Sequence, residues 1–191
     1  MDFIILIFLI CVIIVLYFNT QYNNMTYIKS DIDNQYYLVR DLEDKQKSSN
    51  ILAKIKKNIF KLTDYVYSSM KKYPEMRQYI KQLNSRIKSV IITESTFNSS
   101  YTSYSINKGE QIVFCIRIKG KYKIHDLNLL MYVVIHEMAH VACPETGHTP
   151  LFTKIFEFLC YRAIEINIYK KIDFKKFPKE YCGMIVDESV I

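Results

Sequence analysis

The stretch "HEMAHVACPETGHTPLF", His136 to Phe152, decides how this chain is read. The chain has four histidines, and His136, His140 and His148 are three of them. On a helix, residues four apart share a face, so His136 and His140 send their rings from successive turns toward one point. Glu137 follows the first of the pair, and Met138 and Ala139 keep the remaining space apolar. Pro144 disfavours helical geometry at Cys143 and predicts a helix end just past His140. Thr146 and Gly147 let the chain turn, which brings His148 back within reach of the other two. Thr149 and Pro150 then read as the cap and first turn of a second helix, with Phe152, Ile155, Phe156 and Leu159 on its apolar side.

Two imidazoles at this spacing and a third from a short loop match the ligand set of a catalytic zinc, which takes three protein ligands and leaves one position open to water. Glu137 is placed to take a proton from that water, while the metal polarises a carbonyl. The expected site is thus His136, His140 and His148 as Zn2+ ligands and Glu137 as general base, acting on a protein or peptide substrate. If His148 is instead a surface residue, Glu145, Glu157 or Glu165 supplies the third ligand. His125 reads as a polar residue at the start of the helix. Tyr132 and Tyr161 are candidates, by residue type alone, for stabilising charge on the attacked oxygen.

Working back from the motif, Asp126 can cap its helix, on which Leu130, Val133, Val134 and Ala142 are apolar. Before it, from Ser89, "VIITES", "YTSYSI" and "QIVFCIRI" are rich in β-branched and aromatic residues, and "NKGE" has hairpin-turn character. Three strands in a small antiparallel sheet are expected, closed by "KGKYKIHD". A substrate would lie antiparallel to the strand around Gln111 to Ile118. Further back, Leu52, Ile55, Ile59, Leu62, Val66 and Met70 step at helical spacing from Ser49 to about Lys72. Pro74 opens another helix with Met76, Ile80, Leu83 and Ile87 inside. Ile28, Ile32, Tyr36, Val39 and Leu42 predict a stalk helix over Tyr22 to Lys47.

At the start, Phe3 to Phe18 is continuously apolar. As a helix it measures roughly 24 Å, a little short of a ~30 Å hydrocarbon core, with Tyr17 and Phe18 suited to the interface. With Asp2 ahead and "NTQYNN" behind, it lacks the basic start and small-residue cleavage site of a signal peptide, so an uncleaved membrane anchor through residues 3–18 is expected. Lys29 and Arg40 follow the span and place the body in the cytosol by the positive-inside rule. Five cysteines without CxxC spacing argue for free thiols and a reducing compartment. The sequons at Asn24 and Asn98 point the other way.

At 191 residues, half of them hydrophobic, the chain can form one domain with an appendage, and four Gly and four Pro argue against disorder or a fibrous repeat. The net charge of +7 reads first as solvated helix faces; it is compatible with nucleic acid or a membrane surface but names neither.

The motif resembles the minimal zinc metallopeptidases of the WLM and SprT-like group. These join a helix bearing H-E-x-x-H to a third histidine in a Gly-His-x-x-x-Phe-like setting, matched here by "HEMAH" and by Gly147, His148 and Phe152. A metzincin pattern would put glycine at Cys143 and histidine at Thr146. The likeness covers about Val90 to Leu159. It implies a small sheet over the active helix, three zinc-binding histidines and a glutamate base, with substrates in the group that include proteins cross-linked to DNA. The chain also looks like those of large cytoplasmic DNA viruses, since its Ile, Lys, Asn and Tyr bias with no Trp suits an AT-rich genome. The expected architecture is α+β: a transmembrane anchor at 1–20, a stalk helix at 21–48 and a zincin-like metallopeptidase domain at 49–191. The expected function is a membrane-anchored, zinc-dependent endopeptidase. The rival is a non-enzymatic membrane or virion protein retaining the zinc-binding fold, with Cys143 or Glu145 closing the site as a fourth ligand.

Overall fold

The computed structural model describes the backbone of residues 2–22 and 24–191, and the side chains of 3–16 and 24–191. The apolar N-terminal stretch forms helix α1 (Asp2–Tyr22). Among the described residues no helix is long and apolar enough to cross a membrane. This overturns the transmembrane anchor expected at 1–20, and with it the single-pass placement and the cytosolic orientation drawn from it. The side chains of Tyr17 and Phe18, assigned to a membrane interface, lie outside the described residues.

The stalk helix is also corrected. Residues Met25–Lys29 (β1) and Tyr36–Arg40 (β2) form an antiparallel hairpin, with Asn34 at φ 58° in its turn. Apolar residues four apart satisfy period two as well as period 3.6, and here the strand period wins because Tyr37 and Val39 go into the core together. The hairpin is part of the body: Ser49 Oγ donates to the Ile28 carbonyl at 2.9 Å, and Ser30 Oγ donates to Asn50 Oδ1 at 3.0 Å.

Helix α2 (Lys45–Ser68) is the long amphipathic helix expected from the spacing, and it buries Leu52, Ile55, Ile59, Leu62 and Val66. Two short 3-10 turns, the second led by Pro74, connect it to α3 (Arg77–Ile87). A three-stranded sheet follows: β3 (Ile91–Glu94), β4 (Tyr104–Ile106) and β5 (Gln111–Phe114), in the order β3-β5-β4. β4 and β5 pair antiparallel across the "NKGE" turn, where Asn107, Lys108 and Gly109 all have positive φ. β3 pairs with β5 in parallel, so the expected antiparallel sheet is mixed. β5 is central, and burial continues from Ile112 through Arg117, as a strand flanked on both edges requires.

Helices α4 (Leu127–Ala142) and α5 (Pro150–Glu165) lie against each other and against α2. The chain closes with a hairpin of β6 (Lys179–Tyr181) and β7 (Met184–Val186). Its two-residue turn, Cys182 at φ 51° and Gly183 at φ 89°, has the left-handed geometry that suits strand twist. Cys182 is disulfide-bonded to Cys115, with the sulfurs 2.01 Å and the Cα atoms 6.3 Å apart. The expectation of free thiols throughout is therefore corrected; Cys11, Cys143 and Cys160 are the free ones. The bonded pair is separated by 67 residues, and its partners meet only because the C-terminal hairpin docks beside the end of β5.

A buried ion network joins the layers. Arg117, 1% exposed, donates from Nε to Glu94 Oε1 at 2.7 Å, pairs with Asp44 at 2.7 Å and reaches Ser48 Oγ at 2.5 Å. Glu94 Oε2 accepts the backbone N–H of Arg40 at 2.9 Å. One guanidinium thus ties β2, β3, the N-terminal end of α2 and the chain beyond β5.

Candidate metal centre

Both ends of α4 are fixed by side chains. At its start, Asp126 accepts the backbone N–H of Asn128 at 2.9 Å and of Leu129 at 3.4 Å, as an N-cap does. At its end, Cys143 turns to extended geometry (φ −79°, ψ 129°) ahead of Pro144. The last carbonyls are claimed from two directions. Gln82 Nε2 donates to the Ala142 carbonyl at 2.9 Å and Arg86 to that of Val141 at 2.7 Å, while Lys108 Nζ donates to the carbonyls of Cys143 at 3.1 Å and Glu145 at 2.6 Å. Cationic donors at a helix C-terminus also complement its dipole. A Cβ at Gly109 would fall 2.8 Å from Val141 Cγ1, so only glycine lets the β4–β5 turn sit this close to α4.

Beyond this clamp, Gly147 takes φ 80° and the chain folds back. Thr149 Oγ1 accepts the Phe152 N–H at 3.3 Å and bonds the Glu145 carboxylate, starting α5 with Pro150 in its first turn. His148 is thereby held between the two helices, as its flanking cap and proline suggest.

The three histidines come together. Their Nε2 atoms lie 3.2 Å (His136 to His140), 3.3 Å (His140 to His148) and 3.0 Å (His136 to His148) apart. Three nitrogens bound tetrahedrally to one zinc at ~2.0–2.1 Å stand roughly 3.3 Å from one another, so this donor set fits that ion. Among the described residues it is a set of three. The alternatives weighed for the third or fourth ligand do not join it: Glu145 is engaged by Thr149, Glu165 accepts from Tyr65 Oη at 2.9 Å, Glu157 lies outside the cluster, and Cys143 is buried away from it. Phe152 braces the rings, stacked on His140 at 4.2 Å and edge-on to His136 and His148 at 5.0 and 4.9 Å.

Burial sets the electrostatics. It lowers His136 from 6.5 to about 3, with help from His140 and His148, and lowers His140 to about 4, with help from His148 and Lys108. Both rings are therefore neutral and ready to donate a lone pair to a metal. Glu137 is 4% exposed, and burial raises it from 4.5 to about 7, the range in which a carboxyl can both take and return a proton.

These four residues line one pocket of about 510 Å³, together with residues 102–105 and with Tyr132, Tyr181 and Met184. Tyr132 is in this wall, and its hydroxyl accepts the Val190 N–H at 3.3 Å. Tyr161 is 45% exposed on α5 and lines none of it. His125 is buried beside Tyr181, ring centroids 5.2 Å apart, and its Nε2 accepts the Cys182 N–H at 3.4 Å; it is not part of the cluster. Tyr181 and Ser103 were not singled out by sequence reasoning, and in a chain of 16 tyrosines residue type could not have found the first.

No family model matches the chain, and no solved structure matches it. It is 47% identical over 166 residues to "Uncharacterized protein R325" of Acanthamoeba polyphaga mimivirus, an alignment covering 87% of this chain and 84% of that protein. It is 30% identical over 161 residues to "Uncharacterized protein 136R" of Invertebrate iridescent virus 6, covering 81% and 85%. A shorter match, 40% identical over 82 residues, is to "Uncharacterized protein 042R" of Invertebrate iridescent virus 3. By the extent and identity of the first two alignments, the chain belongs to one family with the R325 protein of that mimivirus and the 136R protein of Invertebrate iridescent virus 6.

Proposed function

We propose that this protein is a zinc-dependent endopeptidase in which His136, His140 and His148 hold the metal and Glu137 is the general base. The observation that carries the reading is the convergence of three Nε2 atoms at zinc-like spacing in one pocket with the buried carboxyl of Glu137. A bound zinc supplies Lewis-acid polarisation of the peptide carbonyl and lowers the pKa of water. Glu137 takes the proton of the attacking water and returns it to the departing amine. Glu137 itself is buried, which limits its contact with bulk solvent. A three-ligand set favours this reading over the structural one, since a structural zinc closes its fourth position with protein. The resemblance to the WLM and SprT-like peptidases rests on the same residues.

The strand that receives substrate differs from the one expected. β5, within residues 111–118, is hydrogen-bonded on both edges and has no free donors to offer. β4 is the edge strand, and Thr102 to Ser105 line the pocket. An extended peptide added antiparallel to β4 passes in front of the three histidines. Tyr104, Tyr132, Val133, Met184 and Val186 in the wall select a large apolar side chain next to the cleaved bond.

The test is metal analysis of the wild-type protein and Glu137→Gln, alongside cleavage of unfolded casein. One zinc in each, with cleavage only by the wild type, supports the proposal. One zinc in each and no cleavage by either across a broad set of unfolded substrates favours a structural or binding role, and no zinc in either removes both.

A further inference from the structure

The C-terminal hairpin contributes one polar group to the pocket. Tyr181 lines it with His136, Glu137, His140 and His148, yet it is 3% exposed, and its hydroxyl lies 2.6 Å from Ser103 Oγ. Ser103 is in turn fixed, because its Oγ accepts the backbone N–H of Cys115 at 3.1 Å. Tyr181 is fixed from its other side, since Cys182, the next residue, is bonded to Cys115. The end of β5 thus holds both members of the pair, one through a hydrogen bond and one through a disulfide.

Proton counting lets Ser103 be the donor. Ser103 has one proton and two lone pairs, and the Cys115 N–H occupies one lone pair. When Ser103 gives its proton to the Tyr181 oxygen, the phenolic O–H is left to donate into the pocket. Burial, with the nearby charge of Glu137, raises Tyr181 above the ordinary tyrosine value against a smaller opposing effect of Ser103, so the phenol keeps its proton across the working range.

Resting on the peptidase reading above, we propose that Tyr181 is a catalytic residue: its hydroxyl hydrogen-bonds the substrate oxygen as that atom becomes negative, and Ser103 is the positioning residue that aims it. In the step it serves, the water oxygen bonds to the carbonyl carbon and the π pair moves onto the carbonyl oxygen. Glu137 receives the water proton and passes it to the amide nitrogen as the C–N bond breaks. The Tyr181 proton is shared with the oxyanion and stays on the phenol. A donor placed at such an oxygen acts on the transition state more than on the bound substrate, so its removal lowers kcat rather than raising KM.

The experiment compares wild type, Tyr181→Phe and Ser103→Ala as the full chain. Readouts are zinc content, thermal melting, kcat and KM on a peptide the wild type cuts, and affinity for a phosphinic peptide of that sequence, whose P–O oxygen mimics the charged one. Tyr181→Phe keeps the ring and the core. The expected result is unchanged zinc and KM, kcat lower by about 10²-fold, and phosphinic-peptide affinity lower by a similar factor. Ser103→Ala, which leaves Tyr181 in place, lowers kcat by about tenfold in the same direction. A kcat within about threefold of wild type in Tyr181→Phe overturns the role of Tyr181 and leaves the peptidase reading standing. A loss confined to KM or to zinc content also overturns it. Absence of cleavage by the wild type overturns the peptidase reading itself.

Discussion

The ring of Phe152 lies on that of His140, with centroids 4.2 Å apart and planes 29° from parallel, and touches the other two histidine rings edge-on. A metal site needs imidazoles already aimed, and here an aromatic residue one turn into α5 does the aiming. Phe152→Leu, which keeps most of the apolar volume, should weaken zinc binding about tenfold or more with a modest loss of melting temperature. Phe152→Ala should add a core penalty of about 3–5 kcal/mol. Competition against a chromophoric chelator, with thermal melts of the metal-free proteins, separates the two effects.

Zinc affinity should fall slowly with acidification. His136 and His140 are lowered by burial to about 3 and about 4, so their protons do not compete with metal between pH 6.5 and 5. Over that range His136 and His140 should add nothing to the slope of log affinity against pH. A slope of two or more would show these rings taking up protons in competition with the metal and would refute the buried-neutral account.

Glu137 makes an opposite contribution to the stability of the metal-free protein. Its folded pKa is raised from 4.5 to about 7, so the carboxyl favours folding below pH 4.5, and that contribution is lost as pH rises through about 7. Glu137→Gln should therefore stabilise the metal-free protein at pH 8, by on the order of 2–3 kcal/mol, and do little at pH 4. Urea melts at the two pH values measure the difference.

Arg117 should be the most sensitive position outside the site. Replacing it with Met leaves the buried Glu94 carboxylate without its nearest countercharge, and a destabilisation of about 3–5 kcal/mol is expected. Adding Glu94→Gln to Arg117→Met should recover part of that loss, because the uncompensated charge is then gone. Equal melting temperatures for the single and double variants would count against this view of the network.

What could be read in advance was local. Asp126, Pro144, Gly147, Thr149 and Pro150 each fix the chain within a few residues, so α4, the turn after it and α5 follow from short-range chemistry, and the convergence of His148 on His136 and His140 follows from them. The remainder depends on distant partners. β3 pairs in parallel with β5 because β4 goes to the far edge, which no short-range signal dictates. Cys115 and Cys182 meet through a hairpin formed more than sixty residues later. Tyr181 enters the pocket on that same hairpin. Ile28, Ile32 and Tyr36 fit two periodicities at once, and the choice between them was made by what Tyr37 and Val39 could bury against.

The Cys115–Cys182 bond also closes a covalent ring, and all three histidines and Glu137 lie inside it. A single break of the backbone anywhere between those cysteines, self-inflicted or not, leaves both fragments tethered. Nicked molecules would migrate as intact protein in an electrophoresis gel until a thiol reagent is added, and only then separate into two bands.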